Sequence, residues 1–355
     1  MSLFKRKEKA TGEILAGGES AIANKEVEGL SQGQIVRRRF FRHRAAVGAL
    51  VVLTSLILFV MTALETKIGP LRIPGWWKWT TEDIPALRFE DCPGGTTGCP
   101  TLSLKPGSSF GLGTHPFGQD DIGRDYFALV MNGARRSLMI RFVIGAVAGF
   151  IGVVVGSIAG FYGKMVDAVL MRLVDFIQTV PTIIIAAVIG KAAGKVGPLY
   201  LALFLGILGW TGLARLVRAQ FLSLREMEFV DAARVAGASN IRIAFKHILP
   251  NAVGQIIVSV TLIMAGAILT ETALSYLGFG VVAPDVSLGL LISQYESSFT
   301  TRPWLFWWPG LFIISIALCV NFIGDGLRDA FDPRQRRRIT KKDRLQAKVQ
   351  AKAGA

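Results

Sequence analysis

Five long uncharged runs punctuate the chain: Ala45 to Leu64, Phe142 to Phe161, Val196 to Ala214, Ile248 to Thr270 and Pro303 to Gly324. Each approaches or exceeds the roughly 20 apolar residues that a helix needs to cross a hydrocarbon core. A sixth run, Val169 to Gly190, carries Arg172 and Asp175 near its start and Pro181 within it. The pattern therefore predicts six transmembrane helices. The polar intervals between them divide the rest: a tail over 1–36, a juxtamembrane segment with the first span over 37–64, and an outer segment over 65–137. A five-helix core comes next over 138–330, with a polar, helix-forming loop at 225–250, and a basic tail closes the chain at 331–355.

Composition agrees with this pattern. The chain has 355 residues, is 51% hydrophobic and only 18% charged, and its mean hydropathy is +0.46. A soluble enzyme is excluded on those grounds. The first run is too long for a signal peptide, whose apolar stretch spans about 7 to 15 residues, and no small-x-small cleavage site follows it. It reads as a permanent anchor.

Charge gives orientation. Arg37, Arg38, Arg39, Arg42 and Arg44 precede the first span, while Arg334, Arg336, Arg337, Arg338, Lys341, Lys342 and Arg344 follow the sixth. By the positive-inside rule both termini are expected in the cytoplasm. The loop at Leu213 to Asn251, with six basic residues, then lies inside and Glu65 to Ser137 outside. Arg135, Arg136 and Arg141 run against the rule at the outer end of the second span. The net charge of +15 is concentrated at membrane borders, so it predicts attraction to membrane lipid and no nucleic-acid partner, since no recognition motif accompanies it.

Local composition adds detail. Residues 1–36 hold few large apolar side chains and predict a mobile tail. Gln34 to Arg44 mixes Ile35, Val36, Phe40 and Phe41 with arginines, which suits an interfacial helix or a plain juxtamembrane charge cluster. In the outer segment, Trp76, Trp77 and Trp79 predict a return to headgroup level. Cys92 and Cys99 flank the turn Pro93 to Gly98, which is able to close a disulfide in an oxidising location. No further Cys or His lies near enough in sequence to build a metal site. Cys319, inside the sixth span, reads as a buried thiol. Gly145, Gly149, Gly152, Gly156 and Gly160 line one face of the second span, for close approach of a helix of this chain or of a partner.

The loop at 225–250 has its own grammar. Glu226 to Ala236 favours helix, Gly237 suits a left-handed cap, Ser239 an N-cap, and Pro250 breaks the pattern before the fifth span. Ala232, Ala233 and Ala236 give the first helix a smooth face for a cleft, and Arg234, Arg242 and Lys246 are free to pair with acidic groups around it. Asp231-Ala232-Ala233, Gly237 and Ile248-Leu249-Pro250 resemble, in order and spacing, the EAA loop of bacterial ABC-importer permeases, with Asp231 where that pattern usually has Glu. His115-Pro116-Phe117-Gly118, Gly123-Arg124-Asp125, Gly133 to Leu138, Ser275 to Gly280 and Gly324 to Pro333 resemble the dipeptide/oligopeptide importer family, second permease type. The resemblance spans about 37 to 334.

It implies an all-α integral membrane protein with the type I ABC importer permease fold, in the bacterial inner membrane, forming half of a peptide translocation pathway. It further implies a second permease subunit, two ABC ATPase subunits carrying ATP and Mg, and an extracytoplasmic substrate-binding protein. Phe229, Asp231, Ala232, Ala233, Gly237, Ile248, Leu249 and Pro250 are then the expected ATPase-coupling residues. The same pattern also serves nickel complexes and oligosaccharides. A non-ABC channel would need a charged or carbonyl-lined pore, and none reads out.

No catalysis is expected here. G-x-x-x-x-G-K-[ST] is absent: Gly194-Lys195 is followed by Val196 and has Ile189 at the first glycine position. His43, His115 and His247 fall in separate regions, so no metal cluster or catalytic triad is suggested. Glu271 stands near the outer end of the fifth span, where an unpaired carboxylate is costly. It either lines the translocation path or is tied to Thr270, Thr272 or an outer arginine. Asp175 and Gln178, beside the helix-opening Pro181, pose the same choice between a cavity wall and a packing kink.

Overall fold

A computed structural model describes residues 32–68, 71–87, 92, 96–102, 113–193 and 197–331. Residues 1–31 of the tail expected over 1–36 and 332–355 of the tail expected over 331–355, with Arg334 to Arg344, Asp332-Pro333 and Gly194-Lys195, lie outside the described residues, while 32–36 are helical. The chain forms two compact units, 1–43 with 328–355, and 44–327.

In the first unit, α1 (Gln32–Arg42) is a short basic helix. His43 Nε2 lies 3.5 Å from Asp329 Oδ2, near the end of the last helix.

The second unit is mostly helical. It runs α2 (Arg44–Ala63), a hairpin of β1 (Thr66–Ile68) and β2 (Leu71–Ile73), α3 (Tyr126–Tyr162), α4 (Lys164–Thr179), α5 (Thr182–Ala193), α6 (Pro198–Gly209) and α7 (Thr211–Leu224). Then come α8 (Glu228–Val235), α9 (Asn240–Arg242), a π-helical turn (Ile243–Ile248), α10 (Leu249–Tyr276) and α11 (Leu288–Tyr295); α12 (Trp304–Phe331) ends in the first unit. The antiparallel hairpin pairs Thr66 with Ile73 and departs from an all-helical expectation. Four described helices are long and apolar enough to cross a membrane, or six if each of two bent pairs is one span.

Those pairs divide two of the expected spans, the third at the helix-opening Pro181 and the fourth unexpectedly. The third span breaks between Thr179 and Thr182 with a 72° bend, because Pro181 has no N–H to donate and forces Val180 into an extended conformation. The fourth bends by 42° at Trp210 and runs on to Leu224, well past Ala214.

Helix α3 is the centre of this unit and begins sixteen residues before the expected Phe142. Its start is built by the outer segment. Asp125 caps it, accepting from Ala128 N at 2.9 Å and from Trp77 Nε1 at 2.7 Å, with His115 Nδ1 2.8 Å from its other oxygen. A side-chain N-cap contributes about 1 kcal/mol. Gly123, at φ +96, and Gly118, at φ +83, make the turns that deliver Asp125. Asp120 receives Arg124 Nε at 2.6 Å and the Tyr295 hydroxyl at 3.2 Å. Trp76 and Trp77 pack on Phe127, with ring centroids 5.7 and 4.7 Å apart. These two indoles therefore hold the helix start, beyond the role in headgroup contact that their sequence suggested.

The glycine stripe packs within this chain. A Cβ on Gly156 would sit 2.5 Å from Ala214 O, and one on Gly160 would sit 2.7 Å from Arg218 O. Both positions admit α7 only because no side chain stands there. Gly145 and Gly149 meet Met264 and Val260 of α10 in the same way.

The arginines that ran against the charge rule have fates of their own. Arg135 donates to Thr66 Oγ1 and, at 3.4 Å, to Glu65 O. Arg136 pairs with Asp285 at 2.5 Å. Arg141 is buried.

Cys92 and Cys99 form a disulfide with Cα atoms 5.5 Å apart, and Cys319 is a buried free thiol. Alkylation of unreduced protein followed by intact-mass measurement is expected to label Cys319 at most. Two further alkylated thiols would contradict the bridge.

Candidate functional site

The polar elbow folds as helix, corner, helix. Helix α8 starts at Glu228 and places Glu228 and Asp231 in its first turn, where negative charge suits the helix dipole. It ends in a complete Schellman motif: Gly237 N donates to Arg234 O at 2.9 Å and Ala238 N to Ala233 O at 3.0 Å. Gly237 has φ +78, a left-handed conformation that glycine adopts without strain. Ser239 then caps α9, its hydroxyl accepting from Arg242 N at 3.4 Å.

Pro250 does not interrupt the helical path into the fifth span. The chain continues from α9 through the π turn into α10, and Leu249 N reaches back five residues to Ala244 O. The wider turn accommodates a proline, which sits in the first turn of α10 where no N–H is required. Asn251 Nδ2 donates to the His247 carbonyl at 2.7 Å. The elbow is thus rigidly continuous with the fifth span.

Burial sorts the expected coupling residues into two groups. Val230, Ala233, Ile243 and Ile248 are buried in one apolar cluster with Leu213, Val217 and Phe221 of α7 and Ala252 and Ile256 of α10. Ala233 therefore faces the protein, which corrects its place on a docking face, and Ile248 anchors the elbow. Leu249 packs at the edge of the same cluster. Phe229, Asp231, Ala232, Gly237 and Pro250 are exposed. Arg234 is not held for an outside partner, since its Nη1 donates to Asp231 Oδ1 at 2.8 Å.

The exposed side also holds residues that sequence reasoning missed. Val235 is 91% exposed, Ile241 68% and Phe245 64%, with Met227 and Phe229 beside them in the chain. Lipid does not account for apolar groups on a segment this polar, and such patches mark interaction sites. The signal was in the helical period. If Val230 and Ala233 face inward, Ala232 and Val235 must lie on the other side, with Phe229 at the border.

The end of the fourth span, just before the elbow, is wired to the bent third span. Across α4 and α7, Arg218 Nη2 donates to Asp167 Oδ2 at 2.6 Å, Arg215 Nη2 to Asp175 Oδ1 at 2.6 Å and Gln178 Nε2 to Thr211 Oγ1 at 3.0 Å. Asp175 and Gln178 are thus rungs of an antiparallel polar ladder. Exposed pairs of this kind contribute about 0.2–1 kcal/mol each, so they set register more than stability.

Glu271 is elsewhere and is 1% exposed. Its carboxylate accepts from Ser275 Oγ at 2.8 Å and Ser137 Oγ at 3.2 Å. Neither expected threonine holds it: Thr270 Oγ1 donates to Gly266 O, and Thr272 Oγ1 has no partner among the described residues. Burial this complete removes Glu271 from any path surface in this packing. No group of three or more metal-ligating side chains occurs among the described residues.

Residues 152–337 match the family described as binding-protein-dependent transport system inner membrane component, and 31–71 match the N-terminal TM domain of oligopeptide transport permease C. The oligopeptide transport system permease protein OppC of Escherichia coli (strain K12) is 38% identical over 311 residues, covering 88% of this chain and 94% of that protein. OppC of Mycobacterium tuberculosis (strain H37Rv) is 37% identical over 307 residues, 86% and 96% of the two chains. A putative peptide permease protein of Brucella ovis is 36% identical over 308 residues, 86% and 92%. A solved structure of the MetNI methionine ABC transporter aligns at 20% identity and TM-score 0.47, covering 57% of this chain and 96% of that one. The chain therefore belongs to the family of binding-protein-dependent transport system inner membrane components, in the branch that carries the N-terminal domain of oligopeptide transport permease C.

Proposed function

We propose that this chain is a permease subunit of an ATP-driven peptide importer in the bacterial inner membrane, and that the 225–250 elbow is the seat of a separate ATPase. The observation that carries this reading is the exposure of the apolar side chains Phe229, Val235, Ile241 and Phe245 on a polar segment whose buried residues are locked onto α7 and α10. A surface that is apolar, rigid and unpartnered suits a helix laid in a groove.

The rest of the machinery is inferred from membership in the family. A second permease completes the pathway, two ATPases bind ATP and Mg, and an extracytoplasmic binding protein delivers substrate. Both termini and the elbow lie in the cytoplasm. Closure of the ATPases on ATP moves the elbow. Its rigid continuation into α10 and its apolar contact with α7 carry that displacement outward, and the α4–α7 ladder passes it to the bent third span. The transport step is rocking of packed helices around a central cavity.

A photo-crosslinker at Val235, in an assembly purified with its activity intact, is expected to capture a nucleotide-hydrolysing subunit, while one at Ile314, 57% exposed on α12, is not. Val235 crosslinks that never reach such a subunit would remove the assignment. Uptake of labelled di- and oligopeptides, with nickel complexes and oligosaccharides as competitors, tests the substrate class separately.

A further inference from the structure

Helix α1 has two unlike sides. Phe40 is buried and Ile35 and Val36 are half-buried, while Arg37, Arg38, Phe41 and Arg42 are exposed, Phe41 at 57%. At helical spacing, 37 and 41 stand on one ridge and 38 and 42 on the next. The outward face is therefore three guanidiniums around one phenyl ring. None of the three makes an ion pair with a described residue, and α1 contains no acidic side chain.

The chain tethers this face to the bilayer. Helix α2 begins at Arg44, two residues beyond the end of α1, and its uncharged run starts at Ala45. A helix joined so closely to a span remains at headgroup depth, where guanidiniums match phosphate bidentately and an aromatic ring settles at the acyl boundary. An acidic protein segment would match the charge and leave Phe41 in water.

We infer that the outward face of α1 binds anionic phospholipid headgroups, with Arg37, Arg38 and Arg42 as phosphate ligands and Phe41 inserted between them. This rests on the membrane placement proposed above, and it makes α1 an element that reads lipid composition.

The test uses the full chain in its assembly, in nanodiscs of phosphatidylcholine alone or with about a third phosphatidylglycerol. Each near-surface arginine contributes about a fivefold preference for an anionic surface. Amide exchange across residues 32–42 is expected to slow by at least about fivefold in the anionic discs, and high salt should reverse much of that. The triple variant R37Q/R38Q/R42Q should lose the difference, with exchange in α3 unchanged as a check on folding. Equal exchange in the two lipids, or a difference that survives in the triple variant, overturns the proposal. So does slowing by inorganic phosphate in phosphatidylcholine discs, or protection that depends on a partner subunit and not on lipid. Intact Val235 crosslinking alongside any of these outcomes would confine the failure to α1.

Discussion

Replacing Glu271 by Ala is expected to destabilise the protein by about 1–3 kcal/mol for each buried hydroxyl left without its acceptor. The carboxylate holds Ser137 of α3 and Ser275 of α10. Those hydroxyls in turn accept from Leu288 N at 3.4 Å and Val281 N at 3.1 Å, and Ser287 Oγ donates to Ser275 Oγ at 3.3 Å. One side chain thus pins the segment after the fifth span, including the start of α11, against α3 and α10.

Truncation would leave two buried hydroxyls short of an acceptor. Glu271→Gln keeps an acceptor and should cost less. The unfolding temperature of the purified assembly reads both. An E271A protein as stable as the wild type would show that the node contributes nothing.

Gly237→Val is expected to abolish most uptake while leaving the amount of assembled protein near normal. No atom lies within 4 Å of the position a Cβ would take, so the penalty is not steric crowding. It is the left-handed backbone, φ +78, which costs an L-residue about 1–2 kcal/mol and a β-branched one more. That corresponds to a shift of about five- to thirty-fold against the cornered elbow. Gly237→Asn, which tolerates the conformation, should retain most of the function. The paired measurement is substrate uptake against ATP hydrolysis in vesicles: hydrolysis should continue while uptake falls. A valine variant that transports with normal coupling would sink the role given to the corner.

The two predictions differ in how far the sequence anticipated them. Gly237 was legible because a Schellman corner is a local event: Gly after a short Ala-rich helix, then Ser as the next N-cap, specifies it over a few residues. The pairing of Cys92 with Cys99 was open to local reading for the same reason. Glu271 was not. Its partner Ser137 is remote in sequence, and an intramembrane carboxylate looks the same from sequence whether it lines a cavity or ties three elements together. Pro250 misled because a proline normally ends a helical pattern, and a π turn just before it cannot be read from residue type.

By itself the sequence determined the spans, the elbow and its corner, since hydrophobic period, length and glycine geometry act within a few residues of one another. Only the tertiary structure decided which side of α8 turns away from the protein, which helix fills the glycine stripe, that the fourth span bends, and that Glu271 is an internal tie. Periodicity states which residues share a face. It does not state what that face meets, because that depends on side chains far away in the chain competing for the same buried volume.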